Sequence, residues 1–433
     1  MANYIINGGK KLSGTIKTNS AKNSAVAILC ATPMIKGRTT LAEVPQIEEV
    51  KRIIEILESI GMKVSWTGRH ELEIVNEGKI NLKKLNADSY SRTRAALLLM
   101  GALSSLFPKF SLPKGSGCKL GKRTVNPYKL AMEQMGFLLK DDGYKYEITR
   151  KKLHDAEVTM YESGDTATEN TILAAVLSPK TTEIIFAASN YMVQDLCYFL
   201  ARAGARIKGI GTNRLKITGV KELRPVENYS IIPDPIESMA FISIAITTKS
   251  RLKITHCPIE FLRLELEKLR VMGQKFKISK NYKSESGNFS LVDIEIIPSK
   301  LIALPDKIHP LPYPGLNIDN LPLFVPILTQ ANGKTLVHDW VYENRAVYYV
   351  ELNKLGAEIT LYDPHRVSIV GPSELTAAEI ISPPALRPSI NLLICMLAAK
   401  GKSILRNSYS IDRGYEDIVG RLNKLGADIK RIE

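Results

Sequence analysis

A recurring order of helix, glycine and strand organises the whole chain of 433 residues. Each copy has an amphipathic helix, a glycine and a short run of alternating apolar residues, and the glycines are Gly61, Gly136, Gly204, Gly273, Gly356 and Gly426. A glycine just after a helix adopts a positive φ at little cost, which is a common way for a helix to end. Successive glycines are 68 to 83 residues apart. This period is too long for a thin solenoid, so each copy is predicted to be a small α/β subdomain.

A second series of helices alternates with the first and is far more apolar. These helices are predicted over residues 24–34, 94–104, 169–177, 237–247, 319–329 and 389–399. Helices that are apolar on most faces are buried, and short alternating strands are predicted between them, as at 215–217 and 366–370. The sequence therefore predicts an α/β protein of six units, three in each of two domains that divide near residues 227–233.

The composition narrows the class of protein. Hydrophobic residues make up 45% and charged residues 24%, which is typical of a globular protein rather than a disordered chain. No apolar run approaches the ~18 residues that a membrane span needs, and the first residues lack a signal-peptide pattern. Five cysteines without a CxxC pair and six scattered histidines favour neither a disulfide framework nor a metal site. We expect a cytoplasmic protein with no metal, no cofactor and no membrane partner.

The net charge of +15, from 59 Lys and Arg against 44 Asp and Glu, leaves several hypotheses open. The chain could bind nucleic acid, bind an acidic surface, act on anionic substrates, or simply have a basic, solvated surface. Aromatic residues form only 7% of the chain, and no block combines them with basic residues as nucleic-acid stacking platforms do. Nucleic acid is therefore not expected as a partner.

Three of the buried helices begin close to a cation, namely Lys22, Arg94 or Arg387. The N-terminus of a helix carries a partial positive charge, so a cation there opposes the helix dipole. Capping explains the Ser, Asn, Thr and Asp residues at such positions but does not explain these cations. The pattern indicates an anionic ligand shared by the three.

A glycine-rich segment over residues 111–128 contains Cys118 between Gly117 and Lys119, with Lys122 and Arg123 nearby. Neighbouring cations favour the thiolate form and so make a thiol more reactive. Cys118 is therefore a candidate functional thiol. Cys30, Cys197 and Cys395, by contrast, lie in apolar helical runs and are predicted to be inert core residues.

Five motifs together resemble one enzyme family in their order and spacing. They are Lys22-Asn23-Ser24-Ala25, the Cys118 segment, Pro312-Tyr313-Pro314-Gly315, Glu343-Asn344-Arg345 and Ile411-Asp412-Arg413-Gly414-Tyr415-Glu416. The chain is similar, from its start to its last helix, to the UDP-N-acetylglucosamine enolpyruvyl transferases. The resemblance implies a two-domain inverse α/β barrel of six repeated units, with domains at 22–232 and at 1–21 plus 233–433 and a cleft between them.

The resemblance also implies a reaction and its residues. The enolpyruvyl group of phosphoenolpyruvate would pass to the 3-hydroxyl of UDP-N-acetylglucosamine with release of phosphate, the first committed step of peptidoglycan synthesis. The implied catalytic residues are Cys118, Asp319, Lys22 and Arg413, and the implied substrate-binding residues are Asn23, Arg94, Arg123, Thr124, Val125, Asn126, Arg345 and Arg387.

The implied roles follow the chemistry of addition and elimination, in which one proton is delivered and one is removed. Lys22, Arg123 and Arg413 would hold phosphoenolpyruvate, with Arg94, Arg345 and Arg387 lining the same cleft. Cys118 would act as the general acid at the methylene carbon or assist product release. Asp319 would take the proton of the sugar hydroxyl, and Asn23 would bind the sugar. The alternatives without a catalytic role are that Asp319 caps its helix and that Arg345 and Arg413 form surface ion pairs.

The sequence departs from the family mainly on the nucleotide side. The segment after Arg123 contains Asn126 and Tyr128, Asp165 precedes Thr168-Glu169-Asn170, and Pro235 follows Asp234 where the family has an arginine. An enolpyruvyl transferase with a different nucleotide or sugar acceptor is therefore an alternative. A shikimate-specific relative is less favoured, because the glycine-rich stretch before the second buried helix is absent. A basic nucleic-acid-binding protein and an inactive scaffold are the alternatives of another class.

Overall fold

The computed structural model of the chain describes residues 2–114 and 124–433. The described residues form two compact units. The N-terminal unit comprises residues 20–114 and 124–232, and the C-terminal unit comprises residues 2–19 and 233–433. Two predicted site residues, Cys118 and Arg123, lie outside the described residues.

The described helices follow the predicted order along the chain. They are α1 (Lys22–Ala31), α2 (Glu48–Ser59), α3 (Ala87–Arg92), α4 (Leu99–Leu106), α5 (Asn126–Glu133), α6 (Asp165–Val176), α7 (Tyr191–Arg202), α8 (Pro235–Thr247), α9 (Arg263–Val271), α10 (Leu321–Leu328), α11 (Leu386–Ala398), α12 (Tyr409–Asp412) and α13 (Ile418–Lys424). Short 3₁₀ helices cover Thr32–Met34, Leu82–Lys84, Arg94–Leu98 and Ile259–Phe261, and a longer one covers Ala346–Leu355.

The described strands are short and alternate with these helices. They are β1 (Asn3–Gly8), β2 (Ser13–Lys17), β3 (Gly37–Ala42), β4 (Lys63–Trp66), β5 (Leu72–Asn76), β6 (Lys109–Pro113), β7 (Phe137–Asp141), β8 (Lys145–Arg150), β9 (Ala156–Thr159), β10 (Thr181–Ile185), β11 (Arg206–Lys208), β12 (Arg214–Thr218), β13 (Tyr229–Ser230), β14 (Arg251–Pro258), β15 (Lys275–Ile278), β16 (Tyr282–Lys283), β17 (Ser290–Ile297), β18 (Leu301–Ile302), β19 (Ala331–His338), β20 (Glu358–Asp363), β21 (Arg366–Gly371), β22 (Glu379–Ile381), β23 (Gly401–Arg406) and β24 (Ile429–Ile432).

The described strands form three sheets in each unit. Their strand orders are β13-β3-β5-β4, β6-β8-β7 and β11-β12-β10-β9 in the N-terminal unit, and β15-β17-β14-β2, β18-β19-β21-β20 and β22-β23-β1-β24 in the C-terminal unit. Each sheet except β6-β8-β7 contains one parallel strand pair and is otherwise antiparallel. None of these six sheets closes into a barrel. The predicted mixed α/β class is confirmed.

The six glycines that the sequence analysis placed at helix ends all have positive φ, between 83° and 104°. Five of them follow an α-helix, whereas Gly356 ends the 3₁₀ helix Ala346–Leu355, where an α-helix was predicted. The buried series is α1, α4, α6, α8, α10 and α11, whose side chains form much of the core of each unit. The predicted repeat is therefore confirmed, although the helix before Gly356 is 3₁₀ and the helix predicted over 94–104 is 3₁₀ over Arg94–Leu98 before it continues as α4.

Local sequence explains where the buried helices begin. Helix α8 starts at Pro235, which has no N–H to leave unpaired, and the Asp234 side chain accepts a hydrogen bond from the Ile236 N–H at 2.8 Å. Helix α10 has proline at its first turn and again at Pro326, and is only eight residues long. Among the described residues, no helix has the length and apolar character needed to cross a bilayer.

Candidate functional site

Asp319 lies in the turn immediately before α10, and the residues around it fix the backbone of this turn. The Asn317 side chain accepts a hydrogen bond from the Asp319 N–H at 2.8 Å. Glu265, which is buried, accepts hydrogen bonds from the Asn317 N–H at 3.3 Å and from the Asn320 side chain at 2.8 Å. Burial raises the pKa of Glu265, and the Asn320 hydrogen bond partly opposes that rise. The backbone of the turn that contains Asp319 is thus held in place by hydrogen bonds to the side chains of Asn317 and Glu265.

Arg345 is the largest fully buried side chain among the described residues. Its Nε and Nη2 donate hydrogen bonds to the two carboxylate oxygens of Asp339, at 2.6 and 2.8 Å. Nη2 also donates to the carbonyl oxygen of Ile318 at 2.7 Å, and Nη1 lies 3.6 Å from Asp319 Oδ1. The ring of Tyr342 stacks against the guanidinium, 4.2 Å from its central carbon. Arg345 therefore contacts both the backbone and the carboxylate of the Asp319 turn.

Arg387 approaches Asp319 from helix α11. Its Nε lies 3.5 Å from Asp319 Oδ1, and its Nη1 donates a hydrogen bond to the Tyr415 hydroxyl at 3.1 Å. The Asp319 side chain is 27% exposed and the Arg387 side chain 11% exposed. A carboxylate that faces two guanidinium groups and still reaches solvent can accept a proton from a bound hydroxyl.

The charges around Asp319 shift the pKa values of their neighbours. Burial raises the pKa of Asp234 to about 6, although the positive charge of Arg387 opposes that rise. Burial likewise raises the pKa of the Tyr415 hydroxyl to about 12, again opposed by Arg387. Burial alone would lower the pKa of Arg345, but the Asp339 carboxylate outweighs it and the pKa is raised. Both guanidinium groups stay charged at any physiological pH.

Arg413 follows the short helix α12, two residues before Tyr415. Its side chain is half-buried and has no hydrogen-bond or ion-pair partner among the described residues of the C-terminal unit. A guanidinium in this state can bind an anion without first giving up a protein partner.

In the N-terminal unit, Lys22 and Asn23 are the first two residues of α1. The Lys22 ammonium forms an ion pair with Glu49 of α2, and both side chains are about one-fifth exposed, at 20% and 22%. The Asn23 side chain donates a hydrogen bond to the Tyr191 hydroxyl at 3.2 Å. Glu49 supplies the negative charge that offsets the unfavourable position of Lys22 at a helix N-terminus.

Arg94 begins the 3₁₀ helix Arg94–Leu98 rather than an α-helix. Its Nη2 donates hydrogen bonds to the Thr124 carbonyl oxygen at 3.4 Å and to the Tyr128 hydroxyl at 3.2 Å. The predicted substrate-binding residues Thr124 and Asn126 are exposed, whereas Val125 is buried. The side chain of Val125 is thus part of the core, and only its backbone could reach a ligand.

Two acidic side chains occupy the first half of helix α6. Asp165 is its first residue and accepts a hydrogen bond from the Asn190 side chain at 3.1 Å. Glu169 is buried, and its Oε1 has no hydrogen-bond partner among the residues that the structure describes. Burial raises the pKa of Glu169 well above its ordinary value, and the charge of Asp165 raises it further. This helix N-terminus is therefore less favourable to an anion than its dipole alone would suggest.

The described thiols are all buried, at Cys30, Cys197, Cys257 and Cys395. Burial raises the pKa of each of them, to about 12 for Cys257 and beyond that for the other three. The prediction that Cys30, Cys197 and Cys395 are core residues is confirmed. No group of three or more His, Cys, Asp or Glu side chains in the described ranges could hold a metal ion.

The structure brings together three of the predicted residues, Asp319, Arg345 and Arg387. Within the N-terminal unit, Lys22 with Asn23 and Arg94 with Thr124 form two further groups. Sequence reasoning missed four residues that contact predicted ones, namely Glu49, Asp339, Tyr191 and Tyr415. It also missed Glu265, which contacts Asn317 and Asn320 on either side of Asp319. What identifies Asp339 is a buried carboxylate in contact with a buried arginine, and both properties can be recognised only in the folded structure.

Comparisons with known proteins agree on the family. Residues 6–422 match the family model of EPSP synthase (3-phosphoshikimate 1-carboxyvinyltransferase). A UDP-N-acetylglucosamine 1-carboxyvinyltransferase of Bacteroides thetaiotaomicron is 33% identical over 450 residues, and one of Treponema denticola is 34% identical over 435 residues. Each alignment covers 100% of both chains. The chain belongs to the EPSP synthase family, and it is an enolpyruvyl transferase.

The fold is that of this family as well. The crystal structure of the enolpyruvyl transferase NikO from Streptomyces tendae superimposes with a TM-score of 0.87 at 24% identity, covering 100% of this chain and 99% of that one. The predicted enolpyruvyl transferase fold and the predicted resemblance are confirmed.

Proposed function

We propose that this protein transfers the enolpyruvyl group of phosphoenolpyruvate to the 3-hydroxyl of UDP-N-acetylglucosamine and releases phosphate. The observation that carries the proposal is Asp319, held on an anchored turn with two guanidinium groups 3.5 and 3.6 Å from one of its oxygens. Full-length relatives at 33–34% identity are named for this activity. The reaction would serve peptidoglycan synthesis in the cytoplasm.

The proposed roles follow the balance of the reaction. Asp319 takes the proton of the acceptor hydroxyl, whose oxygen bonds to C2 of phosphoenolpyruvate while a proton adds to C3. Loss of a C3 proton and cleavage of the C2–O bond then release phosphate and leave the enolpyruvyl ether. Lys22 and Arg413, with the predicted Arg123, would hold the phosphate and carboxylate. Cys118 would deliver the C3 proton or assist product release.

The remaining predicted residues have supporting roles in this proposal. Asn23, Arg94, Thr124, Val125 and Asn126 would contact the acceptor, Val125 through its backbone. Arg345 and Arg387 would act on Asp319 rather than on phosphoenolpyruvate, because their described contacts converge on that carboxylate. The domains predicted at 22–232 and at 1–21 with 233–433 would enclose the substrates in the cleft between them.

An acceptor other than UDP-N-acetylglucosamine is the second candidate. Asp165 at the start of α6 and the buried Glu169 one turn further on favour it. Two carboxyl groups in the first half of helix α6 disfavour the binding of an acceptor whose diphosphate would lie at the N-terminus of this helix.

The test is an assay of the purified chain with phosphoenolpyruvate and a panel of acceptors. The panel contains UDP-N-acetylglucosamine, other nucleotide sugars and shikimate 3-phosphate. We expect phosphate release only with UDP-N-acetylglucosamine, with a product heavier by one enolpyruvyl group, and a large loss of release in Cys118→Ala. Turnover of a different acceptor would establish the second candidate. Phosphate release with none of them would overturn the proposed function.

A further inference from the structure

Asp339 follows strand β19 and is fully buried. The Asp339 N–H donates a hydrogen bond to the His365 carbonyl oxygen at 2.7 Å. The His365 Nδ1 lies 3.2 Å from the Asp339 carbonyl oxygen. Its carboxylate accepts hydrogen bonds from Arg345 Nε and Nη2, and from the Tyr349 hydroxyl at 2.5 Å. This carboxylate therefore has three protein donors in a fixed geometry, at a residue to which the sequence assigned no role.

The hydrogen bonds of Arg345 to Asp339 and Ile318 use two of its three guanidinium nitrogens. Asp339 engages Nε and Nη2, and Ile318 takes a second hydrogen bond from Nη2. The remaining nitrogen, Nη1, is the one that lies 3.6 Å from the Asp319 carboxylate. A planar guanidinium that is bidentate to one carboxylate has a fixed orientation. The position of Asp339 thus determines where the positive charge of Arg345 meets Asp319.

Within the described residues, two guanidinium groups and two carboxylates lie together in this cluster. Arg345 and Arg387 face Asp319, and Asp339 lies on the opposite side of Arg345. The other titratable groups around them include Tyr342 and Tyr349 beside Arg345, and His365 at the Asp339 backbone. Glu265 lies under the Asp319 turn, and Tyr415, Asp234 and Glu237 lie around Arg387. Without the negative charge of Asp339, the full positive charge of Arg345 would act on Asp319 and weaken it as a base.

We propose that Asp339 is a positioning residue, which orients Arg345 and keeps the Asp319 carboxylate basic enough to accept the proton of the acceptor hydroxyl. This inference rests on the proposed function, in which Asp319 accepts the proton of the acceptor hydroxyl. The effect of Asp339 on the titration of Asp319 can be measured whether or not the protein turns over substrate. Asp339 itself touches neither substrate nor any reacting atom.

The test is the isosteric variant Asp339→Asn, with the titration of Asp319 followed by the ¹³C signal of its side-chain carboxyl. An Asp319→Asn variant assigns that signal. A lost unit charge acting through one guanidinium is expected to move the titration midpoint down by about one pH unit. In the assay, kcat should fall about tenfold while KM for phosphoenolpyruvate changes less than about twofold. Asp339→Glu, which restores the charge, should recover most of the midpoint and of kcat.

A second variant keeps the test decisive if Asp339→Asn does not fold. The combination Asp339→Asn with Arg345→Gln replaces the ion pair by two neutral side chains and leaves no buried charge without a partner. Asp319 then loses one of the two guanidinium neighbours that it has among the described residues, so its titration midpoint should rise above the wild-type value by about half a pH unit. Opposite shifts in the two variants are the signature of an electrostatic role.

The matched control is Asp195→Asn in the N-terminal unit. Asp195 is also a buried carboxylate that accepts a hydrogen bond from a tyrosine hydroxyl, that of Tyr229 at 2.7 Å. Its replacement should leave the midpoint of Asp319 unchanged. An unchanged midpoint in both Asp339 variants would overturn the inference and leave Asp339 with a purely structural role. A wild-type protein that releases no phosphate would overturn the proposed function instead, while the titration would still decide the role of Asp339.

Discussion

The two units hold their candidate cations in opposite ways. In the C-terminal unit, Arg345 and Arg387 converge on one carboxylate, Asp319, and the Arg345 side chain is only 1% exposed. In the N-terminal unit, Lys22 pairs with Glu49, and Arg94 separately contacts Thr124 and Tyr128. Lys22, Glu49 and Arg94 are half-buried and solvent can reach them, whereas the Tyr128 side chain is buried.

This difference separates two tasks. Breaking the contacts of Arg345 would leave a buried charge without a partner, so its arrangement is formed before any substrate arrives. The contacts of Lys22 and Arg94 are partly solvated, and an incoming anion can replace them at little cost. In the function that we propose, the C-terminal unit would present a preformed base, whereas the N-terminal unit would present cations that exchange a protein partner for a ligand.

The largest expected effect tests the preformed base. Asp319→Asn removes the proton acceptor but keeps the shape of the side chain, so kcat should fall by about 10³-fold. KM for phosphoenolpyruvate should change only a few-fold, because the anion is held by other residues. Steady-state phosphate release measures both constants. A variant that keeps more than about a tenth of kcat would show that the base lies elsewhere.

A smaller effect compares the buried carboxylates of the two units. The Asp195 carboxylate accepts hydrogen bonds from the Tyr229 hydroxyl and the Ile232 N–H, forms no ion pair with any described residue, and burial raises its pKa to about 7. The folded state therefore binds this proton more tightly than the unfolded chain does. The stability that this group contributes is fully present below about pH 4 and is lost as the pH rises through about 7.

Asp195→Asn should remove this part of the pH dependence. Between pH 5 and pH 8, the wild type should lose about 2 kcal/mol of stability relative to the variant. Urea unfolding midpoints of both proteins at four pH values would measure the difference, in which the shared titrations of other groups cancel. A constant difference across that range would show that Asp195 keeps its charge when the protein is folded.

The smallest expected effect concerns the ion pair between Lys22 and Glu49. Glu49→Gln frees Lys22 from its ion pair, so KM for phosphoenolpyruvate should fall about threefold with kcat unchanged. Glu48→Gln, which affects an ion pair with Arg52 at 3.6 Å, is the neighbouring control and should leave KM unchanged. In a Lys22→Met background, Glu49→Gln should give no gain. A higher KM in Glu49→Gln would mean that Glu49 positions Lys22 rather than competing for it.

Most of the architecture could be predicted from the sequence, because it depends on local and periodic signals. The glycines at helix ends need a positive φ, and the apolar helices need burial, whatever the rest of the chain does. Helix Ala346–Leu355 was predicted as α and is 3₁₀. Five of its ten residues are Val, Tyr or Asn, which are weak α-helix formers. In addition, Arg345 and Tyr349 at its start both contact Asp339.

The candidate site was predicted as a set of residue types but not as a set of contacts. Arg345 and Asp339 are six residues apart, a spacing that brings side chains together in neither a helix nor a strand. Asp319 and Arg387 meet only because α10 and α11 are neighbours in the core. The sequence predicts Arg345 as a substrate-binding residue, and the structure adds that its Nη1 lies 3.6 Å from the Asp319 carboxylate. Its role in binding stays a prediction.

The burial of Cys30, Cys197, Cys257 and Cys395 has a practical consequence for labelling chemistry. A maleimide reacts with an accessible thiolate, and these four thiols are neither accessible nor ionised at neutral pH. In the native protein, a dye or a mass tag added at one equivalent has Cys118 as its remaining thiol target. Mass spectrometry of the intact protein after brief labelling would then report how much of the Cys118 thiol was free when the label was added, with no cysteine removed from the chain.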